Sequence, residues 1–290
     1  MTSRAKAELL LLGICIIWGA SFVVVKGALA EASPPVFLAI RFTLAGLVCA
    51  AVLRFRPRRL SRQALGAGGV LGLFLLGGYV LQVHGLLYTT PSKSAFITAF
   101  SVVLVPFLGA LGGVRLHAAN VTAAIVAVTG LYVLLAPARL DAVNRGDLLT
   151  LAASISFGCY IVWVGHYADR LDFRELVPIQ ILVVGLGSAV ALPFDANRRL
   201  HWTPGFAVAI AITALLSTAL AFSVQNWAQR YTPTSHTALI LSLEPVFTAL
   251  TSRWILGEHM GGRMIAGSAL MLAGVLVSEL WGGRPAAIES

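Results

Sequence analysis

Apolar residues in this chain run on without alternating. Stretches long enough to cross a membrane recur at 8–29, 35–53, 64–87, 93–112, 118–136, 147–167, 175–194, 204–228, 235–255 and 263–281. Each is near the roughly 20 residues that a helix needs to cross about 30 Å of hydrocarbon. Short alternating segments, the mark of a membrane β-barrel, do not occur. The breaks carry turn residues or charge: Ser33-Pro34-Pro35, Pro57-Arg58-Arg59, Thr90-Pro91-Ser92, Pro137, Pro204, Thr232-Pro233 and Gly261-Gly262. Between the fourth and fifth stretches only Arg115 and His117 mark a boundary. The pattern predicts an all-α, polytopic membrane protein of ten transmembrane helices.

The pattern also repeats. Tyr88 to Arg115 and Tyr231 to Glu258 have the same length and layout, each opening with Tyr-Thr and a Pro and passing Ser94-Ala95 or Thr237-Ala238. Glu8 leads to Trp18-Gly19 as Asp147 leads to Phe157-Gly158. The expected units are residues 1–138 and 146–284, five helices each. An odd number of helices per unit puts the two copies in opposite directions, the inverted-repeat geometry of many transporters, with a substrate site where the copies meet.

Composition agrees. Apolar residues make up 58% of the 290 and charged residues 11%, with a mean hydropathy of +0.86. A soluble domain is nearer half apolar and a quarter charged. The formal charge of +9 does not signal nucleic acid, because the basic residues fall between apolar spans rather than on one face. There they set orientation and touch anionic lipid. With the N-terminus inside, the inner segments hold Arg4, Lys6, Arg54, Arg56, Arg58, Arg59, Arg62, Arg115, Arg170, Arg174, Arg230 and Arg284. The outer ones hold Lys93, Arg139, Arg145, Arg198, Arg199, Arg253 and Arg263, so both termini are expected in the cytoplasm. Arg4 and Lys6 ahead of an apolar run imitate a signal peptide, but Leu9 to Val25 is longer than a usual signal core. Cys15, Cys49 and Cys159 lie inside spans as small apolar filler, with no Cys/His cluster to hold metal. No metal or cofactor is expected.

Polar residues inside the spans are the functional candidates, since an ionisable group in hydrocarbon costs roughly 2.5–3.5 kcal/mol on insertion scales. Glu244 lies mid-span in a stripe with Thr237, Thr248 and Thr251, and Pro245 beside it frees the carbonyl of Leu241. It would contact a substrate amine or carry a proton; the alternative is a structural ion pair with Arg41. Arg41 is a candidate for a substrate carboxylate. So is Lys26, whose alternative is to snorkel to the interface. Ser94, Thr98 and Ser101 on the fourth span are the repeat partners of Thr237, Leu241 and Glu244. Two such stripes suit a cavity between copies, while single hydroxyls often bond back to their own helix. Trp18 and Ser21 on the first span, Tyr160 and Trp163 on the sixth, and Tyr79 and Gln82 on the third complete the proposed lining. Gln225 and Asn226 occupy the counterpart of the Tyr79–Gln82 turn and mark either that lining or the membrane surface. His84 reads as a hydrogen-bonded packing residue, and Gly68, Gly69 and Gly72 as close helix contacts.

Together these residues resemble the drug/metabolite transporter superfamily, in its ten-helix EamA branch. The resemblance rests on Trp18-Gly19-Ala20-Ser21-Phe22 with Lys26, Arg41-Phe42, Tyr88 to Ala95, Leu243-Glu244-Pro245-Val246-Phe247, Leu256-Gly257-Glu258 and Gly267 to Gly274. It covers essentially the whole chain. One departure is Arg115, where the second copy has Glu258. The resemblance implies a secondary transporter of the bacterial cytoplasmic membrane, often an exporter of amino acids or other metabolites, acting as a monomer or homodimer in the bilayer on a small-molecule substrate. An uptake permease of the same fold is the alternative. An intramembrane enzyme is disfavoured, since no His-Glu-x-x-His, paired mid-span aspartates or Gly-x-Ser-x-Gly occurs.

Overall fold

The computed structural model describes residues 2–53, 61–111, 113, 116–135, 144–168, 170–232, 237 and 240–281. Arg54, Arg56, Arg58, Arg59, Arg115, Pro137, Arg139, Pro233, His236 and Arg284 lie outside the described residues, as do the expected unit ends at 138 and 284. Among the described residues there are ten helices and no named strand. They are α1 (Ser3–Ala28), α2 (Pro34–Val52), α3 (Arg62–Leu86), α4 (Pro91–Leu111), α5 (Ala118–Leu135), α6 (Arg145–Ala168), α7 (Phe173–Ala191), α8 (Pro204–Ala228), α9 (Glu244–Leu256) and α10 (Gly262–Trp281). Seven of these, α1–α4 and α6–α8, are long and apolar enough to cross a membrane; α5 and α10 contribute shorter apolar helices.

The helix starts follow from local chemistry. Thr2, Ser61, Asp172 and Thr203 accept backbone N–H groups of the first turns of α1, α3, α7 and α8. Pro34 and Pro204 stand in first turns, where a missing N–H costs nothing. The ninth span, 235–255, opens beside Pro245, where the Leu241 carbonyl was expected to be freed: a turn at Ser242-Leu243 interrupts it and α9 restarts at Glu244. Pro245 is the cause, having no N–H for the Leu241 carbonyl and a ring that crowds the preceding turn. α9 ends at Gly257, whose φ of 65° closes it in the left-handed conformation that glycine adopts without strain. In α8 the stretch Ile212–Leu220 is wound as a π-helix, wider than the α-helix on either side.

Helix packing pairs the two halves. α2 packs on α7, α5 on α10 and α4 on α9; α3 lies against α6 and α7, as α8 lies against α1 and α2; α6 lies on α4 as α1 lies on α9. Exchanging α1–α5 for α6–α10 leaves this pattern unchanged. Small residues set the contacts. A Cβ on Gly185 would sit 2.8 Å from the Thr43 backbone nitrogen, and one on Gly267 2.7 Å from that of Leu134, so α7 meets α2, and α10 meets α5, backbone to backbone. Gly68 and Gly72 likewise admit Ile179 and Val183 of α7, whereas Gly69 faces open space. The largest buried apolar cluster joins α1, α2, α3, α4, α6, α7 and α8 around the middle of the bundle.

Candidate functional site

Inside this bundle is a cavity of about 850 Å³, its mouth included. Helices from both halves line it, and the contributions come in repeat pairs. Thr98 and Ser101 of α4 face in, and so do their partners Leu241 and Glu244. Trp18 and Ser21 of α1 are matched by Phe157 and Tyr160 of α6, and Tyr79 and Gln82 of α3 by Phe222 and Gln225 of α8. Two glycines let the lining helices close in. A Cβ on Gly19 would stand 2.6 Å from the Phe247 Cβ and 2.9 Å from the Glu244 carbonyl oxygen; one on Gly158 would stand 3.2 Å from the Ser101 carbonyl oxygen. α1 therefore presses on α9 at Glu244 as α6 presses on α4 at Ser101.

The two charges break the symmetry. Arg41 is buried, and its Nε donates to Thr218 Oγ1 at 2.9 Å. Its guanidinium carbon lies 5.0 Å from the centre of the Phe42 ring, 5.2 Å from that of Tyr79 and 5.9 Å from that of Phe37. Aromatic faces attract a cation, so three rings and one hydroxyl hold the group in place. Its repeat partner is neutral Gln180 on α7. Glu244, half-buried at the start of α9, has Ser101 as partner. Arg41 and Glu244 line the same cavity but do not pair: among the described residues no carboxylate oxygen lies within 4.0 Å of Arg41. The ion-pair alternative is thus corrected; the Arg41 hydrogen bond goes to α8 instead.

Aromatic side chains form the walls. Phe222 meets Trp18, Tyr160 and Tyr79 at centroid separations of 5.4, 5.9 and 6.2 Å, and Phe157 meets Tyr79 at 5.3 Å. Trp18 Nε1 donates to the Ser217 carbonyl at 2.7 Å. The Tyr160 hydroxyl accepts from Asn226 Nδ2 at 3.1 Å, and Gln82 Nε2 donates to Thr98 Oγ1 at 3.0 Å. The cavity thus offers one fixed cation, one carboxyl, hydroxyls, amides and aromatic faces. It can hold a small molecule with a charged end and an apolar body.

Nine of the ten sequence candidates line the cavity: Trp18, Ser21, Arg41, Tyr79, Gln82, Thr98, Ser101, Tyr160 and Glu244. Trp163 does not. It is 38% exposed and stacks with His166 and Tyr167 on the outside of α6. Phe157 and Tyr160 already span roughly 60° of α6, and Trp163, three residues further on, lies roughly 120° from Phe157, past the cavity face. Thr248 and Thr251 hydrogen-bond back to the Glu244 and Phe247 carbonyls, so of their stripe Glu244 alone faces the cavity among the described residues. Lys26 does not reach the cavity. It donates to the Leu86 carbonyl at the end of α3 and to the Thr89 carbonyl in the α3–α4 turn. Cys15 is more than filler, since its thiol reaches the Ile240 carbonyl and the Leu241 carbonyl that Pro245 leaves without its helical donor. His84 bonds its own helix at the Val80 carbonyl, as a packing histidine should. Phe222 and Gln225 complete the lining; the repeat relation to Tyr79 and Gln82 is the signal that points to both.

A bundle of membrane-length helices around a shared central cavity defines a polytopic membrane protein. The EamA-like transporter family matches residues 5–136 and again 144–280, and the chain belongs to this family. A protein of Archaeoglobus fulgidus named an uncharacterized transporter is 32% identical over 283 residues, 96% of this chain and 87% of that one. The uncharacterized transporter YoaV of Bacillus subtilis is 22% identical over 94% of this chain and 96% of its own. A crystal structure covering 96% of this chain and 98% of its own superposes with a TM-score of 0.70 at 21% identity, a likeness of fold alone. The chain is a membrane transporter.

Proposed function

We propose that this transporter is a secondary exporter of small metabolites, such as amino acids or drug-like compounds, that works by alternating access in the bacterial cytoplasmic membrane. The observation that carries the reading is the cavity, where Thr98 and Ser101 meet their repeat partners Leu241 and Glu244 beside an Arg41 that has no carboxylate partner among the described residues. A guanidinium fixed by its Nε and three rings on the cavity wall is placed to meet an anionic group of a substrate, and charge-assisted guanidinium–carboxylate contacts are strong. Glu244 is the candidate proton carrier, or the contact for a substrate amine. The aromatic walls favour an apolar body between these ends.

The two EamA-like units, 1–138 and 146–284, are inverted copies in this reading. The exchange-symmetric helix pairing supports it, because five crossings per copy require a half-turn axis in the membrane plane. The cation-rich inner segments favour cytoplasmic termini. Reporter fusions after Pro57 and after Ser290 should both report the cytoplasmic side; opposite readings would contradict this topology.

The test is a metabolite challenge. Cells with and without the protein are given toxic amino acids and analogues, and accumulation is measured. Lower accumulation of one group of compounds with the wild-type protein, lost on Arg41→Gln, is expected. Equal accumulation across the panel would overturn export, and higher accumulation would turn the assignment to uptake.

A further inference from the structure

At one end of the bundle the two halves are tied together by side chains that do not line the cavity. The α3–α4 turn carries most of the ties. Asp147, at the start of α6 and only 2% exposed, accepts from Thr89 Oγ1 at 2.7 Å and from Lys93 Nζ at 2.5 Å. Beside it, Asn144 Nδ2 donates to the Tyr88 carbonyl. Glu258, just past the end of α9, accepts from Ser92 Oγ at 2.8 Å and from the Ser92 backbone N–H at 3.4 Å, and also from Ser252 Oγ. Lys26 joins α1 to the Leu86 and Thr89 carbonyls of the same turn. A second strap lies close by. The Ser33 hydroxyl donates to Asp195 Oδ2 at 2.6 Å, Arg199 reaches the Leu29 carbonyl at 3.0 Å, and Ala32 bridges to Leu200.

We propose that Asp147 and Glu258 are a latch: together they hold the first turn of α4 and keep the cavity shut at this end. The position of that turn is the reason. Leu86 and Ala95, immediately before and after the fastened residues 88–93, are themselves cavity lining and are 1% and 2% exposed. Thr98 and Ser101 follow on the same helix. A movement that withdraws the start of α4 from α6 and α9 would therefore uncover the cavity and shift two of its polar residues at once. Both carboxylates belong to the second half of the chain and fasten residues of the first, so the latch crosses the seam along which the halves must part. Fixed charge at a helix start also suits it, since the backbone N–H groups there favour a carboxylate. In the repeat, Glu8 stands where Asp147 has its counterpart, but Arg115 stands where Glu258 would have its own. With cytoplasmic termini the latched end is the outer one. The inference rests on the transporter reading, which supplies the need for an end that opens.

Chemical access measures the latch without any substrate. Ala95→Cys is placed in a chain whose own cysteines are replaced by serine. Intact cells are treated with a membrane-impermeant charged maleimide, and the labelling rate is compared with and without Asp147→Asn and Glu258→Gln. Losing a charge-assisted hydrogen bond should raise the rate by about tenfold in either variant. The exchange Lys93→Asp with Asp147→Lys should bring it back towards the starting value. A control cysteine at Ala127, packed between α5 and α10 away from the cavity, should stay unlabelled. Unchanged or slower labelling at position 95 in both carboxylate variants would overturn the latch, and so would an equal rise at position 127, which would mean general loosening. Since no transported compound is needed, failure here leaves the export assay standing, and failure of that assay leaves this result intact.

Discussion

Removing one hydroxyl tests how Arg41 is held. Thr218 is fully buried on the π-helical stretch of α8; its Oγ1 accepts from Arg41 Nε at 2.9 Å and donates to the Thr213 carbonyl at 2.8 Å. Thr218→Val keeps the branched shape and deletes both bonds. A hydrogen bond to a charged group is worth roughly 1.5–3 kcal/mol and a neutral one about 1 kcal/mol. The rings of Phe42, Tyr79 and Phe37 remain, so the guanidinium stays in the cavity but loses its fixed direction. If its terminal nitrogens bind an anionic group of the substrate, about half of the charged-bond term should appear in binding. A loss of about 1.4 kcal/mol is tenfold in affinity. Transport by protein reconstituted into liposomes should show KM raised about tenfold with maximal rate little changed, because the lost contact serves bound substrate and transition state alike. Detergent-solubilised protein should also melt at lower temperature, with substrate recovering part of the shift. Wild-type KM together with a lowered melting temperature would refute the positioning argument and leave Thr218 a purely structural residue.

Glu244→Gln should abolish proton-coupled transport while the protein still inserts and folds. Glu244→Asp keeps the charge, so equal loss in both variants, measured as flux under an imposed pH gradient, would point to geometry beside Pro245 instead. Gly19→Val places methyl groups where even a Cβ would lie 2.6 Å from Phe247, so it should cost about 1–3 kcal/mol as overpacking and push α9 off α1; an unchanged melting temperature would contradict that close approach. Trp163→Ala lies outside the cavity and should leave KM unchanged, whereas Trp18→Ala, which removes a cavity wall, should raise it.

The helices were legible because hydrocarbon demands long apolar runs and loops concentrate proline and charge. The lining was legible for a related reason. Residues such as Arg41, Gln82 and Glu244 are costly in lipid, so they face inward, and the repeat supplies partners for each. What escaped was lateral detail. Trp163 shares an approximate stripe with Tyr160, yet the angle between them decides cavity or periphery. Cys15 reads as filler because its acceptors lie on α9's broken start, far away in the chain. Lys26 reads as a snorkelling or substrate-binding cation, since no local pattern shows carbonyls of α3 and the α3–α4 turn folding over it. Nothing in Ile212–Leu220 marks a π-helix; its winding goes with contacts from Trp18 and Arg41 that only the assembled bundle provides.

Flux through the purified protein bears most directly on the account. The chain is reconstituted into liposomes, a panel of amino acids and small carboxylate-bearing metabolites is offered, and accumulation is followed under an imposed proton gradient for wild type, Arg41→Gln and Glu244→Gln. Saturable accumulation of one chemical group by the wild type, lost in both variants, is the predicted result. Flux equal to that of empty liposomes across the panel, or flux that survives both substitutions, would contradict a substrate site built on Arg41 and Glu244.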